Sequence, residues 1–207
     1  METEEVKLKI SRYDPTKDEK MRYEVYSVPW RQGLTVLDAL NHIKEYTDSS
    51  LSFRQGCRSE ICGSCALRVD KRGRLACRTQ ITEQMAANYV VIDPLNHFKV
   101  IKDLVVDLEP FYERKNQIQP CLVRDNTTPA TEKEMVIPPE ALKEAKSFRE
   151  CILCGSCYSD YNTLDVENSF CGPSALIKTM RFAANPRDEN EGRLAQAVEP
   201  GNKYMNL

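Results

Sequence analysis

Residues Ser52–Thr79 read SFRQGCRSEICGSCALRVDKRGRLACRT. Four cysteines stand in this stretch, Cys57, Cys62, Cys65 and Cys77, spaced C-x4-C-x2-C-x11-C. That opening spacing is the one by which thiolates hold the two irons of a [2Fe–2S] cluster. Such a cluster is anionic, so the ligand loop must wrap tightly enough to bring backbone amides onto the sulfurs. Gly56 and Gly63 are placed where a residue without Cβ allows close approach and positive φ. Arg54, Arg58 and Ser59 can add hydrogen bonds or positive charge. Two other readings compete. A four-cysteine zinc site normally uses two matched C-x2-4-C pairs, and Cys57 and Cys77 do not pair in that way. Disulfides imply an oxidising compartment, whereas the opening METEEVKLKI has the look of neither a secretory signal nor a transit peptide.

A second group, Cys151, Cys154 and Cys157, is spaced C-x2-C-x2-C, the first part of a [4Fe–4S] ligand run. Two different cluster motifs in one chain point to electrons carried over distance.

Composition narrows the function classes. The chain has 207 residues, room for one large or two small domains, with 29% charged residues and a net charge of −2. That balance argues against a nucleic-acid binder, which carries a basic excess. No apolar run approaches the ~18 residues of a membrane span, so membrane contact is expected only through partners and the thiols are expected in a reducing compartment. Neither GxGxxG nor a phosphate-cradling P-loop is present, and no catalytic acid, base or nucleophile is expected.

Patterning divides the chain. Val6, Leu8 and Ile10 alternate as in a strand, Asp14-Pro15 starts a turn, and Tyr23 and Val25 suggest the returning strand. Thr35 is a candidate N-cap for a helix to about Tyr46, with Val36, Leu37, Leu40 and Ile43 on one face. The cysteine loop follows, then short strands near Ala66–Val69 and Tyr89–Ile92. This order suits a small mixed sheet packed on one helix, a β-grasp arrangement ending near Pro94. From Val100, IKDLVVDLEPFYER is expected to be a connecting helix. Residues 116–139, with Pro120, Pro129, Pro138 and Pro139, mark an irregular linker. Pro139 suits the first turn of a helix running EALKEAKSFREC, and SALIKTMRFAA gives another after Gly172-Pro173. The expected class is α+β: residues 1–100 a plant-type β-grasp [2Fe–2S] ferredoxin domain, 101–138 a connecting helix and linker, and 139–207 a partial α-helical bacterial-type ferredoxin domain.

The remaining chemistry-bearing residues have plainer readings. Cys121, with no cysteine neighbour, is expected to be a buried thiol, and Cys171 a small core residue. His42 and His97 suit surface or capping positions. Trp30 and the pair Phe111-Tyr112 suit packing, and the charges at 187–193 suit a solvated turn and helix end.

The chain closely resembles the iron–sulfur subunits of succinate dehydrogenase and fumarate reductase. The matching stretches are LTVLDAL, SFRQGCRSEICGSCALRV, LACRT, VIKDLVVD, ECILCGSC and CGPSALIKTMRFAANPRDENEGRL, in order across almost the whole chain. The resemblance implies an electron path from the FAD of a flavoprotein subunit through [2Fe–2S], [4Fe–4S] and [3Fe–4S] centres to quinone at a membrane anchor. It implies that Cys57, Cys62, Cys65 and Cys77 hold the first cluster, and that Cys151, Cys154 and Cys157 give three ligands of the second. It also implies a place at the membrane surface, on the cytoplasmic face in a prokaryote or the matrix face in a mitochondrion, reached through partner subunits. An independent two-cluster carrier and an assembly protein with a vestigial second site are the alternatives.

The departures are informative. Where the family has Cys-Pro after the third cysteine of the second group, this chain has Tyr161-Asn162, and its only tryptophan is Trp30, far from the family's quinone-pocket pair. The family's later cysteine run, which completes both later clusters, has no counterpart here. The resemblance therefore implies no [3Fe–4S] centre from this chain alone. The fourth [4Fe–4S] ligand is expected from Cys171 or from a partner chain, such as a separate C-terminal iron–sulfur half packing on an apolar face around Leu176, Ile177 and Met180.

Overall fold

The computed structural model describes residues 5–124, 135–166 and 170–198. In chain order the elements begin β1 (Glu5–Arg12), β2 (Arg22–Pro29), α1 (Val36–Tyr46), β3 (Ala66–Val69), β4 (Arg72–Leu75), α2 (Glu83–Ala86), β5 (Tyr89–Asp93), β6 (Val100–Lys102) and β7 (Val105–Val106). They continue with α3 (Glu109–Gln117), α4 (Pro139–Glu144), α5 (Lys146–Arg149), α6 (Ser156–Ser159), α7 (Thr163–Val166), α8 (Pro173–Ala183) and α9 (Arg193–Val198). The class is α+β. The chain forms two compact units, one of residues up to Leu108 together with Ile152–Asp160, the other of Glu109–Cys151 and the residues from Tyr161 onward.

The first unit is built on a five-stranded mixed sheet of order β2-β1-β5-β3-β4. β1 pairs antiparallel with β2 and parallel with β5, and β3 pairs antiparallel with both β4 and β5. Strand alternation sends Val6, Leu8 and Ile10 to one face, opposite Val28 and Tyr26, and all five are buried. Tyr23 and Val25 lie in the returning strand but face outward. α1 covers the core with Val36, Leu37, Ala39, Leu40 and Ile43, each large apolar side chain so buried contributing about 1.5–3 kcal/mol. Thr35 caps it in a capping box: Asp38 N donates to Thr35 Oγ1 (3.1 Å), and Thr35 N donates to Asp38 Oδ2 (3.2 Å). β3 and β4 join through Asp70 and Lys71, both at positive φ (49° and 68°), the two-residue turn that matches strand twist.

The helix expected from Val100 begins only at Glu109. Residues before it form the β6–β7 hairpin, in which Asp103 turns the chain at φ 46°. The buried Asp103 carboxylate accepts from Arg12 Nε (3.0 Å), Tyr13 N (3.0 Å) and Ser52 N (2.9 Å). Arg12 also pairs with Glu24 at 3.0 Å and with Asp48, and donates to Ser50 Oγ (2.8 Å) and Tyr26.

In the second unit, α3 buries Phe111, with Tyr112 edge-on to it at 5.4 Å. The helix expected through EALKEAKSFREC is two short helices, α4 and α5, meeting at Ala145, with Pro139 in the first turn of α4. Residues 125–134 of the expected linker lie outside the described residues. α8 starts after Gly172 (φ 87°), with Pro173 in its first turn.

Two expectations are corrected here. Of the charges at 187–193, Glu189 and Glu191 are exposed as expected, but Arg193 and Asp188 form a buried pair, Nη2 to Oδ2 2.6 Å and Nε to Oδ1 3.1 Å. Arg193 also donates to the carbonyls of Gln119 and Cys121, at 2.9 Å each, and lies over the Phe182 ring. Cys121 is exposed rather than buried. Its carbonyl is held by Arg193, which leaves the thiol outside.

Candidate metal centres

The ligand loop leaves the core at Leu51 and is fixed at its base. Ser52 N is held by Asp103, Leu104 N donates to Ser52 O (3.2 Å), and Arg54 Nη1 donates to Val106 O (2.7 Å). Beyond that point the chain curls through three left-handed residues, Arg58 (φ 59°), Glu60 (φ 60°) and Gly63 (φ 73°). For the two that are not glycine, such a conformation costs about 1–3 kcal/mol each. The curl turns amides onto sulfur. Ser59 N, Ile61 N and Cys62 N donate to Cys57 Sγ at 3.4, 3.2 and 3.2 Å, and Cys57 N donates to Cys62 Sγ at 3.4 Å. Across the β3–β4 hairpin, Cys77 N donates to Cys65 Sγ at 3.5 Å. Gly56 is not at positive φ but needs to be small, since a Cβ there would lie 3.0 Å from Cys62 Sγ.

The four cysteines thus fall into an exposed pair, Cys57 and Cys62, and a more buried pair, Cys65 and Cys77. The Cys57 amide and then the Ser64 hydroxyl and amide lower the Cys62 thiol to about 6, favouring thiolate. Burial pushes the Cys65 thiol up to about 11, so a metal cation there would have to draw off its proton. Among the described residues, no three His, Cys, Asp or Glu side chains close around a single point. Two thiol pairs with amides aimed at their sulfurs are a donor set that fits a sulfide-bridged pair of irons.

The second group is divided between the units: Cys151 belongs to the second, Cys154 and Cys157 to the first. Cys154 lies against the ligand loop. A Cβ on Gly63 would sit 2.9 Å from Cys154 Cβ and 3.0 Å from its Cα. The stretch Ile152–Asp160 is held in the first unit at several points. Gly73 N donates to both Asp160 carboxylate oxygens (2.9 and 2.8 Å), Asn96 N donates to Ser159 Oγ (2.9 Å), and Tyr158 packs on Phe98 at 5.1 Å. Leu153 (φ 56°) and Gly155 (φ 82°) give the run its curl. A Cβ on Gly155 would meet the Phe98 ring at 3.3 Å.

In the second unit, Cys171 is buried with Ile118 and Ala175, and Leu176 packs against them. Tyr161 stacks on Phe170 at 5.2 Å. Lys178 on α8 is 7% exposed and donates from Nζ to the Cys151 carbonyl at 2.8 Å. His97 meets Tyr158 edge-on, His42 meets Tyr46, and Trp30 donates to the Ile81 carbonyl at 3.0 Å while packing on the core.

Sequence reading missed Asp103, Asp160 and Lys178. Asp103 and Asp160 act through contacts distant in sequence and leave no local signal. Lys178 did leave one: it stands four residues after Ser174 and three after Ala175, on the stripe of α8 that is buried.

The comparisons agree with these motifs. A family model described as a 2Fe-2S iron-sulfur cluster binding domain matches residues 7–113. The fumarate reductase iron-sulfur subunit of Mycobacterium tuberculosis is 34% identical over 88% of this chain and 73% of its own. The succinate dehydrogenase iron-sulfur subunit of Paracoccus denitrificans is 37% identical over 92% of this chain and 73% of its own. Among solved structures, a chain of the Mycobacterium smegmatis Sdh1 complex in the apo form superposes with a TM-score of 0.83 at 28% identity, covering 99% of this chain and 84% of that one. With its paired thiols in an amide-lined loop, this chain belongs to the family of succinate dehydrogenase and fumarate reductase iron–sulfur subunits.

Proposed function

We propose that this chain relays electrons within a succinate:quinone oxidoreductase or a fumarate reductase, between an FAD-carrying flavoprotein subunit and quinone at a membrane anchor. The reading rests on its relatives and on one observation, the van der Waals approach of Gly63 in the first ligand loop to Cys154 in the second cysteine group. On this reading Cys57, Cys62, Cys65 and Cys77 hold a [2Fe–2S] cluster in a plant-type β-grasp domain. Cys151, Cys154 and Cys157 give three ligands of a [4Fe–4S] cluster whose fourth comes from a partner chain or from Cys171. Iron–sulfur groups so bound supply one-electron acceptance and release. This chain's part is to hold them. Amides of Ser59, Ile61 and Cys62 offset negative charge at Cys57, and Gly63, lacking a side chain, lets the two ligand segments touch.

No described helix is long and apolar enough to cross a membrane, and we assign membrane attachment to partner subunits. The role is that of a relay without catalytic residues. The test is purification of the chain from its native source under anaerobic conditions. A flavin-containing subunit should co-purify, and the chain should contain iron with inorganic sulfide. The isolated chain should not oxidise succinate, and succinate-dependent dye reduction by it alone would overturn the proposal.

A further inference from the structure

Lys178 is a charged residue in an unusual place. Its side chain is nine-tenths buried, and among the described residues its one hydrogen-bond acceptor is the neutral carbonyl of Cys151. An ammonium has three donors and a large cost of leaving water, so a buried one calls for an anion. Among the described residues no carboxylate pairs with it. One turn earlier on the same buried stripe of α8, Ser174 Oγ is buried with no hydrogen-bond partner. An orphaned hydroxyl and an under-supplied ammonium at i and i+4 are neighbours on a helix surface. Together they form a donor pair on the helix that carries the hydrogen bond to Cys151.

We propose that Lys178, with Ser174 beside it, sets the reduction potential of the cluster ligated by Cys151. The inference rests on the relay reading of the second cysteine group and adds to it a residue outside the cysteine motifs. An extra electron makes the cluster more negative, and a fixed cation with a hydroxyl donor beside it favours that form over the oxidised one. Lys178 therefore raises the potential. It does so without touching the sulfurs of Cys57, Cys62, Cys65 or Cys77, so the first cluster serves as an internal reference.

The experiment is spectroscopically monitored redox titration of the chain within its native assembly, purified anaerobically. Lys178→Met should lower the potential of the second cluster by about tenfold in the reduction equilibrium, ~59 mV for one electron, with the first cluster unchanged. Lys178→Arg should hold the wild-type value to within a small fraction of that shift. A second cluster of unaltered potential in Lys178→Met, or one lowered equally in Lys178→Arg, would overturn the assignment and leave the relay intact. Should Lys178→Met fail to load, Ser174→Ala decides: a smaller downward shift supports the assignment and no shift overturns it. A wild-type native assembly in which this chain carries only the first cluster would instead count against the relay reading itself, and the Lys178 assignment would fall with it.

Discussion

The backbone amide of Gly73, in β4, donates to both carboxylate oxygens of Asp160, at 2.9 and 2.8 Å. The contact joins the edge of the sheet to the end of the second cysteine segment, and Gly73 also has no room for a side chain, since a Cβ would lie 2.7 Å from Ser156 O. Hydrogen bonds to charged groups contribute about 1.5–3 kcal/mol, less where water competes. Asp160→Ala should therefore speed hydrogen exchange at the Gly73 amide about tenfold. Unchanged exchange would show that the contact does not persist in solution.

Gly63→Ala should be more damaging than its size suggests. The position is left-handed (φ 73°), which costs a residue with a Cβ about 1–2 kcal/mol, and the added carbon would meet Cys154 at 2.9 Å. The expected result is a retained [2Fe–2S] signal with electron transfer to the second cluster slowed at least tenfold, measured by rapid-freeze spectroscopy. A normal rate would mean the Gly63–Cys154 approach carries no current.

Cys171 is 3% exposed and packed among apolar neighbours. In the native assembly, Cys171→Ser should leave the [4Fe–4S] signal intact, as a ligand from a partner chain requires. Loss of that signal alone would assign the fourth ligand to Cys171.

The Asp188–Arg193 pair is buried on both sides, 3% and 1% exposed. Removing one partner leaves an uncompensated charge, which costs about 3–5 kcal/mol. Arg193→Met should lower the unfolding temperature of the second unit sharply, and Arg193→Met with Asp188→Leu should recover part of the loss. Calorimetry distinguishes the two, and a fall in the double variant as large as in the single one would refute the pairing.

Acid sensitivity should centre on Asp48. The Ser50 hydroxyl, acting against burial and together with Arg12 and Tyr26, holds its carboxyl well below the ordinary 3.8. The unfolded chain then takes up that proton more readily than the folded one. The stabilisation is fully present above about pH 4 and is lost as pH falls from there through the folded value. Asp48→Asn should flatten the wild-type stability curve in that range, as read by denaturant titration at a series of pH values.

Local patterns carried much of this structure. The capping box at Thr35, the alternation of Val6, Leu8 and Ile10 and the cysteine spacing are all interactions between near neighbours, and each is written in a few consecutive residues. The β6–β7 hairpin reads as helix in the sequence because its turn depends on Asp103, whose partners Arg12, Tyr13 and Ser52 are far away in the chain. The same holds for Arg193, whose charge suggested solvent until Asp188 and two distant carbonyls enclosed it. In the ligand loop, the sequence pointed to glycine for the left-handed turns. Arg58 and Glu60 adopt them as well, a choice that amide-to-sulfur bonds favour and that residue type alone does not reveal.

The short stretch Ile152–Asp160 gives the chain a sewn connectivity. The backbone leaves the first unit at Leu108, comes back at Ile152 to lie over Gly63 and Gly73, and departs again after Asp160. Neither unit is a continuous length of polypeptide, so neither can be excised whole. A fragment ending at Leu108 would bare the backbone of its own ligand loop to oxygen and water. On a ribosome, Gly63 and Gly73 would wait for their neighbours in this stretch until residue 160 had emerged.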